Sequence, residues 1–181
     1  TPDPKFRKDL VSKITCLAEK FSPNNAWFMT TMNFVFEVAG DLVDDSVAQN
    51  LMLLVADGSG DDEAADDAIR RLAVNSYVSV LSDPDRATSE TLLRVASWIL
   101  GEYGYLSTLK SLSETIDLLS EVVLRSSVPV ESQIWIVSAI TKLCAQHGSL
   151  PQSASSSLRQ LLSSSRYEVA RRANEALVLL Q

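Results

Sequence analysis

Apolar residues recur at helical spacing along almost the whole chain. Phe6, Leu10, Ile14, Leu17 and Phe21 form a first stripe with a period of about 3.6 residues, the mark of an amphipathic helix. The segment from Ala26 to Ala39 is apolar nearly all round, which predicts a helix with neighbours on several sides. Later stripes are centred on Leu51 and Val55, on Leu72 and Val80, on Val95 and Ile99, on Ile116 and Leu119, on Ile134 and Val137, and on Ala173 and Leu177. Only Tyr77 to Leu81 reads locally as a strand, and its neighbours Ile69, Leu72 and Ala73 favour helix. The pattern predicts about nine helices, near 5–21, 25–39, 44–56, 63–82, 88–103, 111–125, 130–147, 153–163 and 166–180, and no sheet.

Punctuation falls between the stripes. Gly40, Gly104 and Gly148 stand where left-handed helix stops are expected, and Pro151 follows the last of them. Ser111-x-x-Glu114 and Ser165-x-x-Glu168 have the form of capping boxes, and Pro129 suits a first helical position. Alternate helices begin at intervals of about 40 residues, the period of HEAT and armadillo arrays. In such arrays no helix pair buries its apolar face alone, so successive pairs stack into a curved rod. The expected fold is therefore all-α, an α-α superhelix, with a closed helical bundle as the alternative. Two segments break the regularity: an acidic inter-helix loop over 57–63, and a weak serine-rich segment over 148–165.

Charge narrows the choice of partners. The 181 residues carry a formal net charge of −7, and nine acidic residues with no base lie between Asp41 and Asp67. A nucleic-acid interface needs a basic stripe, and none exists, so nucleic acid is not an expected partner. Lys5, Arg7, Lys8, Lys13 and Lys20 are diluted by Asp3, Asp9 and Glu19, and read as the solvated face of a helix. No apolar run approaches the ~18 residues of a membrane span. The opening Thr1-Pro2-Asp3-Pro4 has no initiator Met and no hydrophobic signal region, and reads as the start of an excised piece.

Candidate chemistry is sparse. The chain has one His, His147, and two Cys, Cys16 and Cys144, both within apolar helical patterns and expected to be buried reduced thiols. Cys144 and His147 share a helical spacing, but zinc needs three or four ligands. An EF-hand beginning at Asp57 would need Gly where Asp62 stands and a bidentate Glu where Ala68 stands. There is no Gly-x-Ser-x-Gly elbow, no P-loop and no Gly-x-Gly-x-x-Gly. The chain is thus not expected to be an enzyme; no catalytic, cofactor-binding or metal residue is assigned. Trp27, Trp98 and Trp135 lie in apolar stripes and are expected to fill the core.

The run Trp98-Ile99-Leu100-Gly101-Glu102-Tyr103-Gly104 resembles the Trp-x-x-Gly-Glu-Tyr motif in the trunk of adaptins, the large subunits of heterotetrameric vesicle-coat adaptor complexes. Leu17-Ala18-Glu19-Lys20-Phe21, Pro23-Asn24-Asn25, Asn25 to Asn33 and Asn50-Leu51-Met52 extend the likeness, which is greatest to the epsilon class. The resemblance implies a trunk segment that scaffolds the medium, small and second large subunits during cargo sorting and intracellular protein transport. It implies a cytoplasmic protein, peripheral to Golgi, trans-Golgi network or endosomal membranes and reaching them indirectly, through the complex and a small GTPase. No functional residue of the family is carried over onto this segment. The competing reading is an independent armadillo-type peptide-binding solenoid. It expects Asn at one fixed place per repeat, and Asn33, Asn50, Asn75 and Asn174 do not recur so.

Overall fold

A computed structural model describes residues 3–58, 62–86 and 88–180. Among these residues there are nine α-helices: α1 (Pro4–Phe21), α2 (Asn25–Ala39), α3 (Asp45–Asp57), α4 (Glu63–Ser82), α5 (Glu90–Tyr103), α6 (Leu112–Val122), α7 (Val130–His147), α8 (Gln152–Leu161) and α9 (Tyr167–Leu179). Short 3₁₀ turns follow α2 (Gly40–Leu42) and α5 (Gly104–Leu106). Residues 77–81, which alone read as a strand, lie inside α4.

The helices form two layers. In one, α3 packs on α5, α5 on α7 and α7 on α9; in the other, α2 packs on α4, α4 on α6 and α6 on α8. Each odd helix also packs on an even one, as in α1 with α2, α6 with α7 and α8 with α9. This is an α-solenoid, and its core runs along the layer boundary through Phe36, Leu51, Tyr77, Leu81, Ile99, Ile116, Leu119 and Leu143.

Local chemistry explains the helix boundaries. Asn24 accepts from the Trp27 amide at 2.8 Å, Asp62 from the amides of Ala64 and Ala65, and Ser89 from Leu92 at 3.1 Å, each satisfying donors that a helix start leaves unpaired. Ser111 and Glu114 form the expected reciprocal capping box. The second proposed box does not form: Arg166 occupies the cap of α9, with no side-chain hydrogen bond to the helix start. Pro129 caps α7 from just outside it rather than standing at its first position.

Of the three glycines expected as left-handed stops, Gly148 behaves so, with φ at 76°. Gly40 and Gly104 are right-handed, at φ −56°. Crowding fixes them as glycine instead. A Cβ on Gly40 would lie 2.0 Å from Ser89 Oγ, and one on Gly104 would lie 2.9 Å from a Leu143 methyl. At Gly40 the closeness is used. The Ser89 hydroxyl donates to the Phe36 carbonyl at 2.6 Å, and Thr91 donates to the Gly40 carbonyl at 2.9 Å, pinning the start of α5 onto the end of α2.

The largest departure concerns α1. Phe6, Leu10, Leu17 and Phe21 are 47–66% exposed and Ile14 is 39% exposed. The face turned to α2 carries Val11, Thr15 and Ala18, roughly 100° around the helix from the large residues. The periodicity located an apolar stripe correctly; it held no information about which neighbour covers it. Cys16 is likewise exposed rather than buried, and both thiols are free.

Candidate interaction surface

The Trp-x-x-Gly-Glu-Tyr run is a set of joints between helix pairs. Gly101 lies against α7 so closely that a Cβ there would be 3.0 Å from the Ala139 Cα. Glu102 forms an ion pair with Lys142 of α7, and its carbonyl accepts from Gln146 at 3.4 Å. Trp98 meets Tyr103 edge to face with centroids 6.1 Å apart. The Arg70 guanidinium stands 5.3 Å above the Tyr103 ring and donates to the carbonyls of Val55 and Ala56 at the end of α3, at 3.2 and 2.8 Å. One short motif thus ties α5 to α3, α4 and α7.

Other polar links span roughly one repeat, the ~40 residues of helix-pair arrays. Arg94 of α5 reaches Asp45 of α3 at 2.6 Å. Arg86 grips both oxygens of Glu37, at 2.7 and 2.6 Å. Asn75 donates to Thr108 at 2.8 Å, and Arg125 donates to the Leu81 carbonyl at 3.1 Å. Ser153 donates to Asp117.

On the odd-helix layer, the close approach of α5 and α7 floors a groove of about 480 Å³ lined by Trp98, Gly101, Ile134, Trp135, Ser138 and Ala139, with Lys142 and Arg172 at its edge. A shallower trough continues from Ser138 and Lys142 past Ala176 to Leu179. Trp135 is 37% exposed and Leu179 is 76% exposed, so apolar surface faces solvent along this line. Trp98 packs partly into the core, as expected. Trp27 and Trp135 do not fill the core: their rings lie on the outward sides of α2 and α7, a distinction that apolar spacing alone does not draw.

The remaining candidates separate. Cys144 faces the core, and burial pushes its thiol up to about 11. His147 is exposed and its Nδ1 lies 2.8 Å from Ser149 Oγ, so the two do not form a ligand pair. No group of three or more His, Cys, Asp or Glu suited to a metal ion occurs among the described residues. The acidic loop expected over 57–63 is shorter than that: Asp57 ends α3, Gly58 caps it, Asp62 caps α4 and Glu63 begins α4, while residues 59–61 lie outside the described residues. In the serine-rich segment, Ala154, Ser157, Leu158 and Leu161 of α8 are buried. Asn33 accepts from the Tyr77 hydroxyl at 2.5 Å and Asn75 bonds the residues around Thr108, so neither is free to read a peptide backbone. No helix among the described residues is long and apolar enough to cross a membrane.

Comparison with known proteins agrees with this architecture. Residues 1–181 match the adaptin N terminal region family. The chain is 41% identical to human AP-4 complex subunit epsilon-1 over 76% of its own length and 12% of that protein's. It is 38% identical to the Arabidopsis thaliana AP-4 complex subunit epsilon over 98% of its length and 20% of that protein's. Against the Arabidopsis AP-1 complex subunit gamma-1 identity is 29%, over 83% and 17%. The chain therefore spans between about an eighth and a fifth of these relatives. A two-layer helical array jointed at the Trp-x-x-Gly-Glu-Tyr run, matched throughout by that family, belongs to the adaptins.

Proposed function

We propose that this chain is a scaffold segment of an adaptor-complex large subunit of the epsilon class, holding partner subunits for vesicle-coat assembly and cargo sorting. The reading is carried by the apolar trough along α5, α7 and α9 in a chain matched along its length by the adaptin N terminal region. Such a surface binds by covering apolar side chains, with Trp135 as the kind of aromatic anchor that dominates interface energies. Its occupants on this reading are helices of the medium, small and second large subunits. Membrane attachment is indirect, through the assembled complex and a small GTPase, at the trans-Golgi network or endosomes. The proposed role is steric.

The test is co-expression of the chain with the medium, small and second large subunits of an AP-4 complex, followed by size-exclusion chromatography and titration. The chain should co-elute, and Trp135→Ala with Leu179→Ala should weaken association by about tenfold or more, on the order of 1.4 kcal/mol, with unchanged helix content. No co-elution, or an affinity indifferent to both substitutions, would contradict the proposal.

A further inference from the structure

The polar groups of the trough along α5, α7 and α9 are nearly all spent before any partner arrives. Ser97 donates to the Leu93 carbonyl at 2.6 Å, Ser138 to Ile134 at 3.0 Å and Thr141 to Val137 at 2.8 Å, so each of these lining hydroxyls gives its proton to its own helix. The walls are helices, whose backbone bonds run within themselves. Neither Asn nor Gln is among the described residues that line the trough. An extended peptide laid here would find nothing to pair its own N–H and C=O groups, which recognition of extended chains requires. A helix brings its backbone bonds with it and asks the surface only for apolar cover.

Shape and charge specify that helix further. The lining positions run from Ile134 to Lys142 on α7 and from Arg172 to Leu179 on α9, about 12 and 10 Å of helix axis at ~1.5 Å per residue. They combine small residues, Gly101, Ala139 and Ala176, with large apolar ones, Trp98, Trp135 and Leu179, a relief that accepts side chains at helical spacing. Lys142 and Arg172 line both stretches. Lys142 is neutralised by Glu102. Arg172 has only a share of Glu175, 3.5 Å away, because Arg171 holds the same carboxylate at 3.4 Å and has Glu168 besides, at 3.6 Å. One positive charge is thus left under-neutralised beside the apolar floor. We infer that the trough takes a single amphipathic helix of about four turns from a partner subunit, with a carboxylate beside its apolar row that pairs with Arg172. A second copy of this chain is a poorer occupant. Its most exposed apolar helix, α1, carries Lys5, Arg7, Lys8, Lys13 and Lys20 against Asp9 and Glu19, and would bring like charge to Arg172.

The inference deepens the scaffold reading and rests on it for the source of the helix. Its test compares three variants in the chain co-expressed with the medium, small and second large subunits of an AP-4 complex. Arg172→Glu should weaken association by about tenfold or more. Arg171→Glu makes the same charge change roughly 100° further round α9, outside the trough, and should alter affinity by less than about twofold. Arg172→Lys keeps the charge and should stay within about threefold of the parent chain. The same variant supplies an amine for carbodiimide coupling to a neighbouring carboxylate. Peptide mapping of the coupled complex should find an Asp or Glu of a partner subunit, within a segment whose apolar residues recur at helical spacing. Equal losses from Arg172→Glu and Arg171→Glu would reduce the effect to net charge and overturn the inference, as would no loss from either. Coupling to an extended segment, or to none, would overturn it too. So would concentration-dependent dimerisation of the chain alone that Trp135→Ala abolishes, which would give the trough to a second copy. In the first three of these results co-elution persists and the scaffold reading survives. Absence of co-elution in the parent chain instead removes that reading, and the inference with it.

Discussion

The two cysteines show how far residue type alone reaches. Both fell in apolar patterns, yet Cys144 is sealed in α7 while Cys16 lies on the open side of α1. The thiolate is the reactive form, and burial raises the Cys144 thiol. In the native protein at neutral pH, iodoacetamide should alkylate Cys16 readily and Cys144 only after unfolding. Peptide mapping with and without denaturant measures this, and equal labelling of both in the native state would be inconsistent with the packing. Glu37 supplies a second residue-scale expectation. The hydrogen bond from Arg86 holds its carboxyl below the usual carboxylate range, against the opposing effect of burial. The folded state then binds fewer protons than the unfolded one. The pair's contribution is complete above the ordinary Glu value of about 4.3 and is lost as pH falls through the lower folded value. Glu37→Gln should lower the midpoint at about pH 7 by an amount worth up to about 1 kcal/mol and change it little at about pH 3. Thermal melts at both values decide it; an equal loss at both would point to packing instead of charge.

At the scale of the helix, contact distance matters more than conformation. Gly101 lies within an ordinary helix, yet its missing side chain sets how closely α5 and α7 approach. Gly101→Leu should overpack this joint and destabilise the chain by about 1–3 kcal/mol or more. Because Trp98 and Trp135 flank the same joint, it should also redden or blue-shift the tryptophan emission. Urea unfolding followed by fluorescence tests both. Wild-type stability and spectrum would show that α5 and α7 are not held as described. The start of α6 is legible in the sequence because Ser111 and Glu114 cap it reciprocally, whereas Asn24 and Ser89 cap α2 and α5 without that Ser–Glu signature. Ser165 carries the same signature, yet α9 begins at Tyr167 with Arg166 at its cap, so the box does not form. Gly40 and Gly104 were located by sequence but not explained by it, since the atoms that crowd them come from Ser89 and Leu143, far along the chain.

For the whole molecule, the order and type of elements were legible because apolar spacing and loop punctuation agree from end to end. What stayed hidden is which apolar stripe faces inward. A repeated helix pair has several apolar sides, and spacing does not distinguish the core from a surface awaiting a partner. Spacing therefore expects the rings of Trp27 and Trp135 in the core, yet they lie outside it, and the stripe of α1 faces solvent. The same ambiguity left the candidate surface unread, because the Trp135 trough is made by residues from three different helices. The central claim is that stability is passed between neighbouring pairs instead of being shared by one enclosed core. Truncation after Gly148, which removes α8 and α9, followed by native-state amide exchange, tests it most directly. Protection should fall in α6 and α7, which lose their neighbours, and persist in the core of α2 to α5. Collapse of protection throughout the chain would mean a closed bundle and would contradict the account.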